Sequence, residues 1–345
     1  MARRGIVLGL GNVARQSHLP AFLRGDGVAA RLGIVATVDA SAHVEPLSGL
    51  PHFRSLRDAM EQGGDGEGEP IDFVDICTPT ASHVELTLWG LETGCHVLCE
   101  KPVALSRTEV SQIAALAGAR RRVVMACHQY RYNPAWLQLR AWLDQGVVGR
   151  WHLAEFQVYR PVADGGASPA ATPWRGRREV SRGGILLDHG THLVYQLLDV
   201  AGLPRAIQAW AGRLRHRSYD VEDTAQLLLD YGDRLGTFFL TWSAHQRDTR
   251  VRFIGEDGAI EWSGGLLRRE GRHGVEVLDF RAELDKRNYY QWFAGLFHRF
   301  ADAMDRGETE PGLGDIDRVA RVLEAAYAAN HDGCRVALQP ETEVR

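Results

Sequence analysis

The chain has 345 residues, of which 45% are apolar and 24% are charged, and this is enough material for two buried cores. A formal net charge of −4 with scattered arginines argues against a nucleic-acid-binding surface, and no window approaches the roughly 18 consecutive apolar residues of a membrane span. The five cysteines include no C-x-x-C pair, which favours reduced thiols. We therefore expect a cytoplasmic protein that binds neither nucleic acid nor membrane.

The N-terminal part of the chain alternates short apolar runs with segments of helix length. The runs are GIVLGL (5–10), LGIVATV (32–38), IDFVDIC (71–77), CHVLCE (95–100) and RVVMAC (122–127). Such runs, bounded by Gly, Pro or Asp, predict βαβ units and a parallel Rossmann-type sheet. The segment GGDGEGEP (63–70) is predicted to be a surface loop.

The pattern changes after Cys127, where a helix is predicted over residues 133–146. Strand-like segments then follow one another at 151–160, 206–215, 223–231, 236–244 and 251–262, which predicts a large, mostly antiparallel open sheet. Helices are predicted at 184–201, 289–305 and 315–330, and the polar segment 165–184 is typical of a binding loop. We predict an α/β dinucleotide-binding domain over 1–127 and an α+β substrate-binding and oligomerisation domain over 128–345.

The segment GLGNVA (9–14) has the pattern G-x-G-x-x-A directly after the first predicted strand. A tight turn there brings backbone N–H groups close to a pyrophosphate at the start of a helix. The next strand ends at Asp39, where a carboxylate is placed to bind a ribose 2′-hydroxyl and to repel a 2′-phosphate. The combination predicts NAD(H) rather than NADP(H).

Lys101, in LCEKP (98–102), is one of only two lysines in the chain, and the other is Lys286. A compact ammonium on a flexible stem changes its pKa readily when it is buried, whereas arginine stays charged. The retention of a lysine at this position therefore points to chemistry, although a single lysine is more often a solvated surface residue.

Asp188 and His192 are separated by one helical turn in GGILLDHGTHLVYQLLD (183–199). The leucines around them predict a largely buried helix, and a buried Asp–His pair requires partners. A carboxylate beside an imidazole fixes its tautomer, as a general base near neutral pH requires. Asp188, His189 and His192 also suggest metal ligands, but adjacent helical residues diverge. We therefore expect His189 to point elsewhere and no metal to be bound.

Four segments, in this order, resemble the Gfo/Idh/MocA family of oxidoreductases, which includes glucose-fructose oxidoreductase and inositol dehydrogenase. They are GLGNVARQSHLPAF at the N-terminus, CTPTASHVE (77–85), CEKP (99–102) and GGILLDHGTH (183–192). The resemblance covers almost the whole length of the chain. Alanine at position 14 replaces a third glycine, and this is a change between small residues.

The resemblance implies a role for particular residues of this chain. The cofactor-binding residues would be Gly9, Gly11, Asn12, Val13, Asp39, Thr78, Pro79, His83, Glu100 and Lys101. The catalytic residues would be Lys101, Asp188 and His192, all three of which would also contact the substrate. Pro102 is expected to follow a cis peptide bond, as it commonly does in relatives.

Two further pairs are candidates for substrate binding. They are Arg131–Tyr132 in HQYRYNP and Trp174–Arg175 in TPWRGRR, because a sugar ring favours an aromatic face and arginine binds phosphate or carboxylate. Packing at a domain interface explains them equally well. The sequence leaves open whether His128, His189, His245 or Arg247 reach the site.

The sequence thus predicts an NAD(H)-dependent dehydrogenase or ketoreductase that acts on a sugar, a cyclitol or a sugar derivative. A redox-neutral NAD-using glycosidase or epimerase of the same family is an alternative, and so is a non-catalytic dinucleotide sensor. An open sheet with an apolar outer face would support a homodimer or homotetramer, as in relatives. The substrate itself and the direction of the reaction cannot be read from the sequence.

Overall fold

The computed structural model describes residues 2–62, 70–163, 172–272 and 274–339. The chain divides into two compact units. The first unit joins residues 1–132 to residues 286–317, and the second unit joins residues 133–285 to residues 318–345. The limits 1–127 and 128–345 remain a prediction about domains. Almost all of the predicted loop 63–70, and the first part of the segment 165–184, lie outside the described residues.

A six-stranded parallel sheet forms the centre of the first unit, with strand order β3-β2-β1-β4-β5-β6. Its strands are β1 (Arg3–Leu8), β2 (Leu32–Val38), β3 (His52–Phe53), β4 (Phe73–Ile76), β5 (His96–Cys99) and β6 (Val124–Ala126). Its helices are α1 (Leu19–Arg24), α2 (Leu56–Gln62), α3 (His83–Glu92), α4 (Arg107–Arg120) and, from the later segment, α8 (Tyr290–Arg306). The strand order reverses between β1 and β4, which confirms the predicted Rossmann-type architecture.

The core of the first unit lies beside this sheet. Strand β4 is buried at every position, as expected for a parallel strand that is covered on both faces. Helix α8 contributes Phe293, Phe297 and Phe300 to the same cluster, and Phe22 of α1 stacks on Phe297 with ring centroids 4.2 Å apart. The later segment of the chain is therefore an integral part of the core of the first unit.

A nine-stranded sheet forms the second unit, with strand order β14-β13-β12-β11-β7-β10-β9-β8-β15. Its strands are β7 (Trp151–Tyr159), β8 (Ala206–Gly212), β9 (Thr224–Asp230), β10 (Leu235–Thr241), β11 (Asp248–Gly255), β12 (Gly258–Ser263), β13 (Leu266–Gly271), β14 (Gly274–Asp279) and β15 (Val336–Ala337). All neighbouring strands are antiparallel except β7 and β10, so the prediction of a mostly antiparallel sheet is confirmed. The accompanying helices are α5 (Pro134–Asp144), α6 (Arg178–Ser181) and α7 (Thr191–Ala201), and α9 (Glu310–Asp332) contributes to both units.

Side chains alternate between the two faces of this sheet, as the strand geometry requires. Phe156, Phe238 and Phe253 are fully buried on the inner face. On the other face, Trp210 and Phe239 are exposed at 48% and 37% and are aligned across the sheet through Gln226. The outer face thus mixes aromatic and polar side chains.

Two segments of π-helix lead into regular helices, at Ala14–His18 before α1 and at Leu186–Gly190 before α7. The helical stretch predicted over 184–201 is present, and its first part, Leu186–Gly190, is π-helical. Segments of π-helix occur frequently at functional sites, and both of these carry residues discussed below. Within the described ranges, no helix is both long and apolar enough to cross a membrane.

Candidate functional site

The glycine turn follows β1 and packs directly against the loop that follows β4. Gly9 has φ +90°, and a Cβ atom there would lie 2.9 Å from the backbone carbon of Cys77 and 2.9 Å from the backbone nitrogen of Thr78. A side chain is therefore excluded by the backbone conformation and by the lack of space. The two loops meet where the strand order reverses, and this is where open α/β sheets bind their ligands.

The outer part of the same turn is open. A Cβ atom at Gly11 would meet no atom within 4 Å, and Gly11 and Asn12 are both exposed. Ala14 is fully buried at the beginning of the helical segment, so the small residue fits closely there. The turn thus leaves backbone N–H groups accessible at the start of a helix, and this arrangement suits a pyrophosphate.

Asp39 follows β2 and stabilises the glycine turn. Its Oδ2 accepts a hydrogen bond from the Leu10 N–H at 2.8 Å, and its Oδ1 accepts one from the Ser41 N–H at 2.9 Å. Each carboxylate oxygen has a further lone pair, so the group is still able to accept ribose hydroxyls. Arg15 donates to the Leu10 carbonyl at 3.0 Å, and Arg54 donates to the Asp39 carbonyl at 3.2 Å. Sequence reasoning did not single out these two arginines.

His83 connects the loops that follow β4 and β5. The ring is buried, with Nε2 2.8 Å from the Thr78 carbonyl oxygen and Nδ1 2.8 Å from the Pro102 carbonyl oxygen. Burial lowers the pKa of His83, and a neutral imidazole donates to only one of the two carbonyls. His83 therefore connects two loops of the site and helps to fix their conformation. Pro79, in the first of these loops, is exposed.

Glu100 and Lys101 follow β5 at the same edge of the sheet. The Lys101–Pro102 peptide bond is cis, as the resemblance implies. The Lys101 side chain is half-buried, and its backbone N–H donates to Glu100 Oε2 at 3.1 Å. Glu100 itself is buried, with 7% of its surface exposed. The glycine turn, Asp39, the loop with Thr78, and Glu100–Lys101 thus share the carboxyl edge of the parallel sheet.

A buried group of polar side chains lies directly behind Glu100, and sequence reasoning missed it. His18 is fully buried, with Nδ1 2.8 Å from Asp75 Oδ2 and Nε2 3.0 Å from Glu100 Oε1. Burial is the largest single effect and acts to lower the pKa of His18, but the interactions with Asp75 and Cys77 together outweigh it, and the pKa lies well above its usual value. Burial likewise acts to raise the pKa of Glu100, but His18 and Lys101 hold it below its usual value.

The sequence did contain a signal for this group, because Asp75 is a charged residue inside the apolar strand run IDFVDIC. His18 with Asp75 and Cys77, and His18 with Glu100 and Cys127, are also close enough to hold a cation. The nitrogen–oxygen separations are hydrogen-bond distances, however, so shared protons explain the arrangement without a metal.

In the second unit, Asp188 lies in the π-helical segment and contacts Arg175. Asp188 Oδ1 lies 3.3 Å from Arg175 Nε, and the Arg175 guanidinium lies 4.3 Å from the centroid of the Trp174 ring. Asp188 Oδ2 also lies 3.1 Å from His189 Nδ1. The Asp188 carboxylate thus reaches the neighbouring ring along the helix surface, and the expectation that His189 points away from His192 stays a prediction. Trp174, Arg175 and Asp188 form one group.

His192 begins the regular part of the same helix. Its Nδ1 lies 2.8 Å from the hydroxyl of Tyr195, which is fully buried. Tyr195 therefore holds the His192 ring in place, a role that sequence reasoning did not assign although the spacing of three residues permits the contact. The predicted contact between Asp188 and His192 stays a prediction.

Glu222, which precedes β9, holds the N-terminal end of this helical segment. Its Oε1 accepts hydrogen bonds from the Gly184 N–H at 2.9 Å, from the Leu186 N–H at 3.3 Å and from the Tyr327 hydroxyl at 2.7 Å. Burial raises the pKa of Glu222, and these donors offset the shift only in part. The carboxylate thus satisfies backbone N–H groups at the start of the helix that carries Asp188 and His192.

The remaining candidates lie in varied surroundings. The Arg131 guanidinium contacts both carboxylate oxygens of Asp315 within the first unit. Tyr132 packs against helix α8, where a Cβ atom at Gly295 would lie 2.6 Å from its ring. These contacts support a structural role, and their part in substrate binding stays a prediction. Of the other three candidates, His128 is buried, and His245 and Arg247 are exposed in the turn after β10.

Comparison with known proteins identifies both halves of the chain. Residues 3–128 match the oxidoreductase family, NAD-binding Rossmann fold, and residues 136–261 match the GFO/IDH/MocA C-terminal domain. The chain is 23% identical to levoglucosan dehydrogenase of Pseudarthrobacter phenanthrenivorans, over 68% of this chain and 65% of that protein. It therefore spans slightly less than two thirds of the length of that relative. It is 26% identical to scyllo-inositol 2-dehydrogenase (NADP(+)) of Bacillus subtilis, over 78% of this chain and 79% of that protein.

A solved structure has the same fold. The inositol dehydrogenase homologue of Azotobacter vinelandii, crystallised with NAD+, matches with a TM-score of 0.81 over 98% of both chains at 22% identity. The first family match covers the residues of the parallel sheet, and the second covers most of the residues of the antiparallel sheet. The chain belongs to the Gfo/Idh/MocA family of oxidoreductases, and its N-terminal part is an NAD-binding Rossmann domain.

Proposed function

We propose that this protein is an NAD(H)-dependent dehydrogenase or ketoreductase that exchanges a hydride with a carbinol or keto carbon of a sugar, a cyclitol or a sugar derivative. The observation that carries the proposal is the clustering of the glycine turn, Asp39 and Glu100–Lys101 at one edge of the parallel sheet. This set offers N–H groups to a pyrophosphate, a carboxylate to a ribose and an ammonium to a reacting oxygen.

Bound NAD(H) supplies the hydride acceptor or donor at the nicotinamide ring. Lys101 is the group that we assign to the reacting oxygen of the substrate. Its backbone is held by Glu100 and its side chain is half-buried, so a short-lived negative charge on that oxygen is stabilised by a nearby ammonium. Arginine is a poor substitute, because a planar guanidinium does not release a proton near neutral pH.

His192 is the residue that we assign to the proton of the reacting hydroxyl. His192 Nδ1 lies 2.8 Å from the Tyr195 hydroxyl. In the tautomer in which Nδ1–H donates to that oxygen, Nε2 carries the lone pair that a general base needs. In the reverse direction the same nitrogen donates the proton. Arg175 lies beside Asp188 and partly neutralises its charge. Trp174 offers an aromatic face, so we assign this group to contacts with the edge of a polyol ring.

The printed names of the relatives support the choice of substrate class, since they include a levoglucosan and a scyllo-inositol dehydrogenase. A redox-neutral glycosidase or epimerase would use the same cofactor without net turnover of it. A dinucleotide sensor would have no need of Lys101, Asp188 and His192 together. Net accumulation of NADH in the presence of a polyol separates the first reading from both alternatives.

The proposal is tested by following NADH absorbance with a panel of cyclitols, anhydrosugars and glycosides. We expect Lys101→Ala and His192→Ala each to lower kcat by about 100-fold or more, because each removes a group that acts on the reacting oxygen or its proton. The affinity for NADH should change little. Lys286→Ala is the matched control, since it removes the only other lysine, which is exposed. Full activity of both site variants would contradict the assignment.

We also propose that the protein forms a homodimer or homotetramer through the outer face of the nine-stranded sheet. Trp210 and Phe239 are exposed there, and Tyr159 packs edge-on against Phe239 at 5.8 Å. Sedimentation velocity on the wild type and on the Trp210→Glu variant tests this, because a charge in the centre of an interface opposes association. A monomeric wild-type protein would refute it.

A further inference from the structure

The buried group around His18 has a geometry that constrains its protons. Asp75 Oδ1 and Oδ2 lie 3.1 and 2.8 Å from Nδ1, and Glu100 Oε1 lies 3.0 Å from Nε2. Both ring nitrogens therefore face carboxylate oxygens. A carboxylate only accepts hydrogen bonds, so each nitrogen must carry a proton for both contacts to be favourable.

The other groups that face the ring do not supply a competing positive charge. The Cys77 sulfur lies 3.3 Å from Nδ1, and burial raises the pKa of this thiol to about 12, so it stays neutral. The Cys127 sulfur lies within 4.8 Å of a His18 ring nitrogen, and burial raises the pKa of this thiol as well. Helix α8 covers the ring with Phe293 and Phe297, whose centroids lie 4.4 and 5.6 Å away. Two carboxylates and one imidazole ring thus share a buried pocket.

Glu100 connects this pocket to the proposed reaction site. Its Oε1 lies on His18 and its Oε2 accepts the Lys101 N–H at 3.1 Å. A carboxylate held at one oxygen cannot rotate freely, so the contact with His18 fixes the direction of the contact with Lys101. A change in the charge or position of His18 is therefore transmitted to the backbone of Lys101.

We propose that His18 is a positioning residue: as an imidazolium held between Asp75 and Glu100, it orients the Glu100 carboxylate and, through it, the backbone of Lys101 for reaction. His18 also lies at the end of the π-helical segment that follows the glycine turn. The same residue thus joins the turn that holds the pyrophosphate to the loop that carries the lysine. The predicted effect of His18 on the reaction rate rests on the proposed function of Lys101, whereas the predicted positive charge of His18 does not.

The charge state is tested first, on the wild-type protein with NADH bound. The chain is labelled with 15N-histidine, and the His18 resonances are assigned by their loss in His18→Gln among the 14 histidines. We expect both ring nitrogens to show imidazolium shifts at pH 7, above the ordinary histidine pKa of about 6.5, where a free histidine would be largely neutral. A neutral His18 ring at pH 7 would overturn the proposal, whether or not the protein proves to be a dehydrogenase.

The positioning role is tested by kinetics on the active enzyme. We expect His18→Gln to lower kcat by about 10- to 100-fold while KM for NADH changes by less than about threefold, because the cofactor contacts remain and the lysine is misplaced. In the Lys101→Ala background the same change should cause little further loss, since the two residues act through one path. Full additivity, or a weakened NADH affinity that accounts for the loss, would show a merely structural role.

A compensating variant separates charge from packing. His18→Gln leaves two buried carboxylates without their cation, and Asp75→Asn removes one of these charges. We expect the double variant His18→Gln/Asp75→Asn to recover at least about threefold in kcat over His18→Gln, because the net buried charge returns to that of the wild type. A double variant that is slower than either single variant would overturn the proposed role of the charge.

Discussion

We predict that the charge of Asp39 makes the protein prefer NADH over NADPH, and Asp39→Asn isolates that charge. Asparagine has nearly the same shape, so the carbonyl of its side chain keeps one of the two hydrogen bonds that Asp39 accepts, from Leu10 at 2.8 Å or from Ser41 at 2.9 Å. The other oxygen becomes an NH2 group, which cannot accept. The substitution thus removes the negative charge at the ribose position and retains most of the turn.

The size of the effect follows from two contributions. A hydrogen bond to a charged group is worth about 1 kcal/mol more than a neutral one, so NADH should bind about fivefold more weakly. Two charges about 5 Å apart repel by about 1 kcal/mol in water and about 3 kcal/mol near a protein surface. Because Asp39 is half-exposed, its removal should favour a 2′-phosphate by roughly 1–3 kcal/mol, and the preference should shift by at least about tenfold.

Quenching of the nine tryptophans by NADH and by NADPH measures both affinities in one assay. Asp26→Asn is the matched control, because it removes an exposed aspartate of the same unit that lies away from the turn. The shift should shrink at high salt, as expected for partly exposed charges. A preference that changes by less than about threefold would refute the reasoning, and it would indicate that Arg15 and Arg54 dominate the recognition of a 2′-phosphate.

Substitutions at three positions of the second unit, Glu222, Gly184 and Asp223, test its packing and buried hydrogen bonds. At pH 7, Glu222→Gln should be as stable as the wild type. Glu222→Ala should lower the free energy of unfolding by about 3 kcal/mol, because two buried N–H groups lose their acceptor. The pKa of Glu222 is raised in the folded protein. The stabilising contribution of its carboxyl group is therefore complete below the ordinary pKa of 4.5, and it is lost as the pH rises through the pKa of the folded state. Denaturant unfolding should show this decline of the free energy of unfolding in the wild type but not in Glu222→Gln. Gly184→Ala should cost about 3 kcal/mol in the same assay, since a Cβ atom would lie 1.8 Å from the Glu222 carbonyl oxygen, and an undiminished midpoint would contradict that geometry. Asp223→Asn should cost about 3–5 kcal/mol because the buried carboxylate accepts three backbone N–H groups, while the exposed control Asp279→Asn should leave the unfolding midpoint unchanged.

The fold was largely predictable because its signals are local. The apolar runs of the first unit are each bounded by Gly, Pro or Asp, and the structure places a strand within every one of them. Strand β14 gave no such signal, since Val275 and Val277 are 61% and 51% exposed and none of its residues is buried. A strand whose two faces are both largely exposed has no alternation of apolar and polar residues to reveal it.

The site was predictable where a motif lies within one segment and obscure where distant residues meet. The glycine turn and Asp39 follow consecutive strands, so the carboxyl edge of the sheet brings them together. His18 lies 57 and 82 positions from its partners Asp75 and Glu100, and no local pattern shows that contact. Tyr195 was missed for another reason, because a tyrosine in a leucine-rich helix is typical of an ordinary core residue.

The first unit completes its core with a segment that is made late. Strands β1 to β6 leave the ribosome early, but Phe293, Phe297 and Phe300 of α8 pack on them only after β14 has been synthesised. Until then, the apolar surface that α8 covers stays open to other chains, and such surfaces promote aggregation. Most of the second sheet, by contrast, comes from one continuous stretch. The cofactor-binding half is therefore expected to complete its core late in synthesis, although it is the first to be translated.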